Sequence, residues 1–556
     1  MINTYKSLYF LFAFLAISLN SFAQKKQAQQ FQDIIAQAIK KSYPASVRMW
    51  SFDVKQNQRT GNQFSGVVVS ADGYILTAAH TITPGLNYKV FFPNGKECIA
   101  VALGRIDVAK TPGMPDVGMM KITDKGSWPF AEMGYSNSLV AGEPCISIAY
   151  PESLNQQLPT LRLGQVAEVK NEYGFIRSTC KMEPGDSGGP LFDYHGRVIG
   201  LHSAIDVGED QNFEIPVDLY RKYWTALKKE MTYTSFPVLQ DSIGQDPLAL
   251  KLITESKQKN LHPKLEDKAK NLSCVMIESR INTEQSQILA TLFNYVEKGK
   301  KRQFLITKQS MLGQNPSLAL FKNIPLVILA RDKENDLALL EVKQRIKGGI
   351  NLDEISSDTT SISIGKLIST AKADGTLANS VLGSDIFMLP KISSRPYLGA
   401  MVMYNSKPAQ FSLINPDSPA GKAGIVVGDE LISINKKTIE KASAFAPAIM
   451  KFWPGDEITL SYKNANGTTT KNLILDGVKS PRSNHPVERF EGGKSIRRDG
   501  FEKVFSHDAN VKPNECGSPT FDLNGIFLGI NIARFSRAST LAIPARHILE
   551  FIYQNI

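Results

Sequence analysis

Gly185-Asp186-Ser187-Gly188-Gly189-Pro190 sets a serine among glycines, where backbone amides can point at a developing oxyanion. Two upstream segments give that serine partners. Thr77-Ala78-Ala79-His80 ends an apolar stretch, Tyr74-Ile75-Leu76-Thr77, and delivers a histidine that can act as base. Pro115-Asp116 opens a second apolar stretch, Val117 to Ile122, and Asp116 can orient that imidazole. A serine is a weak nucleophile at neutral pH until a neighbour takes its proton. Each motif alone reads blandly, as a core histidine, a strand cap and a surface turn. Together, in the order His80, Asp116, Ser187 and with intervals of 36 and 71 residues, they read as a nucleophile, its base and the base's orienting acid. Gly185 and Ser187 would then supply the oxyanion amides.

The order is that of chymotrypsin-type serine proteases. Residues from about Ser42 to Tyr223 resemble the trypsin-like domain of the HtrA/Deg serine proteases, most plainly over Ser65 to His80. The resemblance implies a double β-barrel and places the strand Gly196 to Ile205, with His202, Ser203 and Ala204, along the primary specificity pocket. Lys181, six residues before Ser187, falls where trypsin-like proteins have the pocket base. A lysine there would favour an acidic substrate side chain; a rerouted loop would send it to solvent and leave a small or medium apolar preference. The motif departs from the family at Asp186, where HtrA proteins more often carry Asn.

Composition fits an exported folded protein. At 556 residues with 42% hydrophobic content, the chain can bury several cores, and three or more domains are expected. Lys6, the apolar run Ser7 to Ile17 and Ser21-Phe22-Ala23 read as a signal peptide over 1–23, too short in its apolar core to span a membrane. No transmembrane anchor is expected, and localisation would be periplasmic or secreted. The net charge of +11 is interspersed, which argues against nucleic-acid binding. Of the five cysteines, Cys98, Cys145, Cys180 and Cys274 sit in strand-like contexts as small hydrophobes, and no spacing suggests a metal site. No cofactor is implied.

The second half repeats the first. Residues 513–529, Pro-Asn-Glu-Cys-Gly-Ser-Pro-Thr-Phe-Asp-Leu-Asn-Gly-Ile-Phe-Leu-Gly, align without gaps on residues 184–200, Pro-Gly-Asp-Ser-Gly-Gly-Pro-Leu-Phe-Asp-Tyr-His-Gly-Arg-Val-Ile-Gly. Ser187 falls on Cys516, and Gly185 on Asn514. Asn335-Asp336 falls on Pro115-Asp116, and Phe304 to Ser310 falls on Tyr74 to His80. The base position therefore holds Ser310, and the copy reads as a degenerate pseudoprotease. Glu515, next to Cys516, is expected to oppose thiolate formation.

Within that copy, Tyr397-Leu398-Gly399-Ala400-Met401-Val402, Asn415 to Ile425 and Gly428 to Asn435 resemble a bacterial PDZ domain. The resemblance implies a groove helix over Ala442 to Phe452, and a loop at Tyr397, Leu398 and Gly399 that cradles a peptide's terminal carboxylate.

The expected architecture is mainly β, with two chymotrypsin-like double β-barrel domains in tandem and an α+β PDZ domain inserted in the second. A signal peptide covers 1–23, a trypsin-like domain 24–235, a linker 236–262, the degenerate copy 263–393 and 479–556, and the PDZ domain 394–478. Residues 479–500 are expected as an exposed return from the insertion. The expected activity is that of an exported serine endopeptidase on unfolded or damaged proteins, through an acyl-enzyme on Ser187. The alternative is a chaperone, sensor or scaffold with a latent protease domain. The N-terminal segment by which HtrA proteins trimerise is not recognisable, so the sequence leaves oligomeric state open.

Overall fold

The structure, a computed structural model, describes residues 26–108, 116–154, 156–249, 251, 273–281, 284–319, 324–356, 362–478 and 485–556. The expected leader over 1–23 lies outside them. Two compact units are present. One holds the described residues up to Phe387, those of 484–495, and Lys503–Ile556; the other holds those of 388–483 and Ile496–Glu502.

In the first unit, a ring of antiparallel strands runs Glu97–Ile106, Asn87–Phe91, Ser46–Asp53, Phe64–Val68, Tyr74–Ala78 and Val117–Ile122, and the last pairs back to the first. Every second residue of Glu97–Ile106 is buried, from Cys98 to Ile106, as a strand with one face on a core requires. A second barrel closes through Ile176–Ser178, Asn212–Pro216, Val198–Ile205, Pro190–Asp193, Pro144–Ala149 and Thr160–Glu168. Pro144–Ala149 and Pro190–Asp193 are buried along their whole length.

Two more sheets follow in the same unit. One runs Gln314–Leu318, Cys274–Ile281, Glu284–Glu297, Lys300–Lys308, Leu337–Val342 and Leu326–Asp332. The other places Pro519–Asp522 between Leu367–Ala371 and Phe527–Arg534, as Pro190–Asp193 lies between Pro144–Ala149 and Val198–Ile205. Thr540–Pro544 then pairs with Phe527–Arg534, and a bridge between Leu382 and His507 joins the sheet's two sides. Residues 26–42 are helical and bury Phe31, Ile35, Ala38 and Ile39 at helical spacing against the core of the first barrels.

The second unit combines a four-stranded sheet (Lys437–Thr438, Glu430–Ile434, Glu457–Asn464, Gly467–Ile474) with a strand pair, Ala400–Val402 and Phe411–Ile414. The helix expected over Ala442 to Phe452 is shorter. It is a 3-10 turn at Ala442–Ala444 followed by an α-helix at Phe445–Ile449. Pro447 is tolerated because it lies in the first helical turn, and the chain then bends through Trp453-Pro454-Gly455, with Gly455 at φ 87°.

The described part of the expected linker is held at two points: Asp241 accepts the Thr225 amide at 2.8 Å, and Asp246 forms a two-point ion pair with Arg197, at 2.8 and 3.2 Å. The return expected to be exposed over 479–500 is exposed only in part: Glu488, Glu491 and Ile496 are exposed, whereas Ser495, Arg497 and Asp499 are buried. The Asp499 carboxylate accepts the amides of Ile392 and Ser394, and the Ser495 hydroxyl accepts the amide of Arg534. Among the described residues, no helix is long and apolar enough to cross a membrane.

Candidate active site

His80 lies in the 3-10 turn Ala79–Thr81, directly after the strand Tyr74–Ala78. That turn is locked onto Asp116. The Ala79 amide donates to the Asp116 carbonyl at 3.1 Å, and the His80 amide donates to Asp116 Oδ1, also at 3.1 Å. Arg105 braces the far side by donating to the Ile82 carbonyl at 2.6 Å. The imidazole then lies with Nδ1 at 3.1 Å from Asp116 Oδ1. The second carboxylate oxygen is occupied too, because Ser203 donates its hydroxyl to Asp116 Oδ2. Partial burial of His80 works against its protonation, but the hydrogen bond and charge of Asp116 outweigh it. The net shift is upward from the ordinary value of 6.5.

Ser187 is brought beside this pair by the tight turn that carries it. Gly188 adopts φ 76°, and a Cβ there would stand 1.9 Å from Thr77 Oγ1 and 2.9 Å from the Ala78 amide nitrogen. Only glycine lets the turn lie so close to the strand that ends at His80. Ser65 fixes the turn from below. Its amide donates to the Ser187 carbonyl at 2.9 Å, and its hydroxyl donates to the Gly185 carbonyl at 2.8 Å. Gly185, at φ 97°, presses on Glu152 and Tyr150. Among the described residues, neither the Gly185 nor the Ser187 amide donates to a protein acceptor. No hydrogen bond joins Ser187 to His80 among the described residues, a contact that often tightens only when substrate binds.

Of the residues expected at the pocket, Ser203 belongs to the acid–base group just described, and Ala204 is exposed. His202 is fully buried, with Nε2 2.6 Å from the Ser147 hydroxyl, and burial pushes its pKa down to about 3. A neutral, enclosed imidazole of this kind packs the barrel. Lys181 points neither to solvent nor to a free anion site. Its ammonium lies 4.0 Å from Glu209 Oε1, and burial lowers its pKa to about 7.

The second half builds the same turns around different side chains. Gln309 and Ser310 donate their amides to Asp336, to the carbonyl at 2.8 Å and to Oδ1 at 2.6 Å, as Ala79 and His80 do to Asp116. Arg331 braces the carbonyl of Leu312 at 3.0 Å, as Arg105 braces Ile82. Ser310 Oγ then donates to Asp336 Oδ2 at 2.9 Å, and buried Lys308 contributes its ammonium to the same oxygen at 2.5 Å and to the Ile532 carbonyl at 2.8 Å. The carboxylate is fully engaged with no imidazole present. Cys516 is buried, 3.8 Å from the Ser495 hydroxyl. Burial is the main cause that raises its thiol pKa, with Asp336 adding to it. Glu515 plays a different part from the one expected. Its carboxylate accepts the Lys512 amide at 2.8 Å and pairs with Lys372 at 3.1 Å.

In the second unit, Leu398 is buried and its carbonyl accepts the Ala420 amide at 3.0 Å. Gly399 adopts φ 76°, against Ser418, and Tyr397 accepts a hydrogen bond from the Asn415 amide group at 3.0 Å. Among the described residues, the strand Ala400–Val402 pairs with Phe411–Ile414 on one edge only. Among the described residues, no cluster of His, Cys, Asp and Glu could hold a metal ion. The cysteines are all thiols, and Cys145 and Cys180 stand with their sulfurs 3.8 Å apart.

Residues 64–201 match the trypsin-like peptidase domain family, and residues 396–475 match the PDZ domain family. Similar proteins include a probable periplasmic serine endoprotease, DegP-like, of Bartonella henselae, 31% identical over 25% of this chain and 27% of that protein. Its counterpart in Pseudomonas fluorescens is 32% identical over 30% of this chain and 34% of its own length. Serine protease HTRA1 of Xenopus laevis is 28% identical over 43% of this chain and 52% of its own. The matches thus span about a quarter to a half of each relative. In domain content and sequence the chain is HtrA/Deg-like, a trypsin-like domain combined with a PDZ domain.

Proposed function

We propose that the first trypsin-like domain hydrolyses peptide bonds, with Ser187 as nucleophile, His80 as base and then acid, and Asp116 as the group that orients His80. The observation that carries this reading is the Asp116 carboxylate, held at one oxygen by His80 and at the other by Ser203, beside the glycine-rich turn that presents Ser187. In the first step His80 Nε2 takes the hydroxyl proton as Ser187 Oγ attacks the substrate carbonyl. The tetrahedral oxyanion is met by the Gly185 and Ser187 amides. Collapse expels the amine, which takes its proton from His80, and leaves an acyl-serine. Water activated by the same imidazole then releases the acid and restores the hydroxyl.

The rest of the molecule is read in keeping with this. The matching strand order and the matching Asp336 contacts support a second, degenerate protease copy without hydrolytic activity. The unpaired edge of Ala400–Val402 and the Gly399 turn support capture of peptide C-termini by strand addition. Substrates are unfolded or damaged proteins outside the cytoplasm, in line with the periplasmic names of the DegP-like relatives. The test is casein hydrolysis by the purified chain lacking residues 1–23, with and without a serine-reactive phosphonate. Hydrolysis that the phosphonate blocks, and that Ser187→Ala lowers by several orders of magnitude, is the expected result. Intact casein in every lane would leave a binding protein with a latent protease domain.

A further inference from the structure

The loop Phe535 to Ser539, between the strands Phe527–Arg534 and Thr540–Pro544, does not face solvent. Arg537 is fully buried and donates to three groups of the first trypsin-like domain: the Met182 carbonyl at 2.9 Å, Asn212 Oδ1 at 2.8 Å, and the Gly208 carbonyl. Ser536 beside it donates to Glu183 Oε1 at 3.0 Å. Arg534, also fully buried, reaches Glu209 Oε1 at 2.6 Å and ties back to the Arg537 carbonyl, also at 2.6 Å.

These acceptors sit on the two chain segments that frame the catalytic turn. Met182 and Glu183 run directly into Pro184-Gly185, and the Glu183 amide and carbonyl both bond to Asp186. Gly208, Glu209 and Asn212 belong to the loop that follows Ser203 and Ala204. Asn212 Oδ1 accepts from the Met182 amide at 3.1 Å as well as from Arg537, so one guanidinium closes the joint between the two segments. A guanidinium suits the task, since its planar fork can bind several carbonyls at fixed angles. The arrangement is costly to bury, and to the ties made within the first domain, Arg162 to Asp186 and Lys181 to Glu209, it adds two cations from more than 300 residues away in sequence.

We propose that Arg537 is a positioning residue for catalysis, through which the second, degenerate copy holds the oxyanion turn and the pocket-side loop of the first in working geometry. The inference rests on the hydrolase reading for its kinetic consequence but not for its structural one. Without Arg537, the Met182 carbonyl and Asn212 lose their shared donor, and the Gly185 amide is free to turn away from the oxyanion. The degenerate copy would then be retained as a brace for the active site, which explains why its interface is specific while its own nucleophile position is not.

The experiment uses the full chain lacking only residues 1–23, with Arg537→Gln, Arg537→Lys and Ser536→Ala. Three quantities are read: kcat and KM on a peptide substrate, the rate at which a phosphonate modifies Ser187, and amide hydrogen exchange over 182–190. For Arg537→Gln we expect kcat and the phosphonate rate to fall about a hundredfold with little change in KM, as a small misplacement of catalytic groups would cause. Exchange over 182–190 should quicken, while exchange in Val117–Ile122 stays as in the unsubstituted chain. Added methylguanidinium should restore part of the rate, which simple loss of packing would not allow. Ser536→Ala, a milder change, keeps the test readable should Arg537→Gln fold poorly, and should show the same pattern at about tenfold. Unchanged exchange and an unchanged phosphonate rate in these variants would overturn the inference. An unsubstituted chain that neither cleaves peptide nor reacts with phosphonate would instead overturn the hydrolase reading, and exchange alone would then decide the brace.

Discussion

Arg162 and Asp186 form a buried two-point ion pair, Nη1 to Oδ2 at 2.8 Å and Nη2 to Oδ1 at 3.3 Å, one residue before Ser187. Asp186 Oδ2 also accepts the Glu183 amide at 2.9 Å. The carboxylate therefore anchors the entry to the nucleophile turn on the strand Thr160–Glu168. It also accounts for the departure at this position from the asparagine usual in the resembled family. An amide there would leave the buried Arg162 guanidinium without its hydrogen-bonded counter-charge.

Breaking that pair from either side should be severe. Arg162→Met strands a buried carboxylate, and about 3–5 kcal/mol of stability should be lost by chemical denaturation. The double variant Arg162→Met with Asp186→Asn removes both charges and should be less destabilised than the sum of the single changes. A double-mutant cycle without coupling would show that the contact does not hold the turn.

The pH profile should carry the signature of His80. Its neutral form is the base, so kcat/KM should fall as the pH drops through its pKa, with a midpoint above the ordinary 6.5 because Asp116 favours the cation. The linked stability has the opposite dependence. It is complete below the unfolded histidine pKa and lost as the pH rises through the folded one. Ser203→Ala frees Asp116 Oδ2, and should lower kcat about tenfold and move the acid limb without lowering the melting temperature. A profile that neither Asp116→Asn nor Ser203→Ala displaces would remove this carboxylate from the mechanism.

These residues differ in how legible they were. His80, Asp116 and Ser187 stand in local signatures because glycines, strand ends and a turn must surround them. Ser203 carries no such mark: a hydroxyl in a strand looks the same whether it meets an aspartate or water, and its sequence context suggested only the pocket wall. Arg162 and Arg537 are less visible still. Each is an ordinary charged residue until folding brings it to a partner 24 or more than 300 residues away. The repeat was readable because turn glycines and prolines keep their spacing after the chemistry is gone. That Lys308 engages Asp336 was not, since Lys308 occupies the place of Ala78, which has no functional group.

The PDZ-like unit predicts a dependence on the free chain end. On the PDZ resemblance, in which the loop at Tyr397, Leu398 and Gly399 would offer amides to an anion, peptides ending in a carboxylate should bind the full chain and their C-terminal amides at least tenfold more weakly. Deleting 394–478 should abolish the difference in a calorimetric titration. Equal binding of acid and amide would assign the groove to internal segments or to none.

The last prediction separates the two halves. A thiol acts as a nucleophile only as thiolate, and Cys516 is held protonated chiefly by burial, with Asp336 opposing its charge and Lys308 only partly compensating. Its sulfur is closed off, so iodoacetamide should fail to label Cys516 in the folded chain and label it once urea unfolds the protein. Cys516→Ala should leave peptide hydrolysis near the unsubstituted rate, whereas His80→Ala should abolish it in the same full-length chain. Ser310 cannot stand in for the histidine, since a hydroxyl is no base at neutral pH and it donates to the same Asp336 oxygen that Lys308 contacts. Survival of activity in His80→Ala, together with its loss in Cys516→Ala, would move catalysis to the second half. A partial loss in Cys516→Ala with a lowered melting temperature would instead mark the sulfur as packing beneath the brace that Arg534 and Arg537 carry.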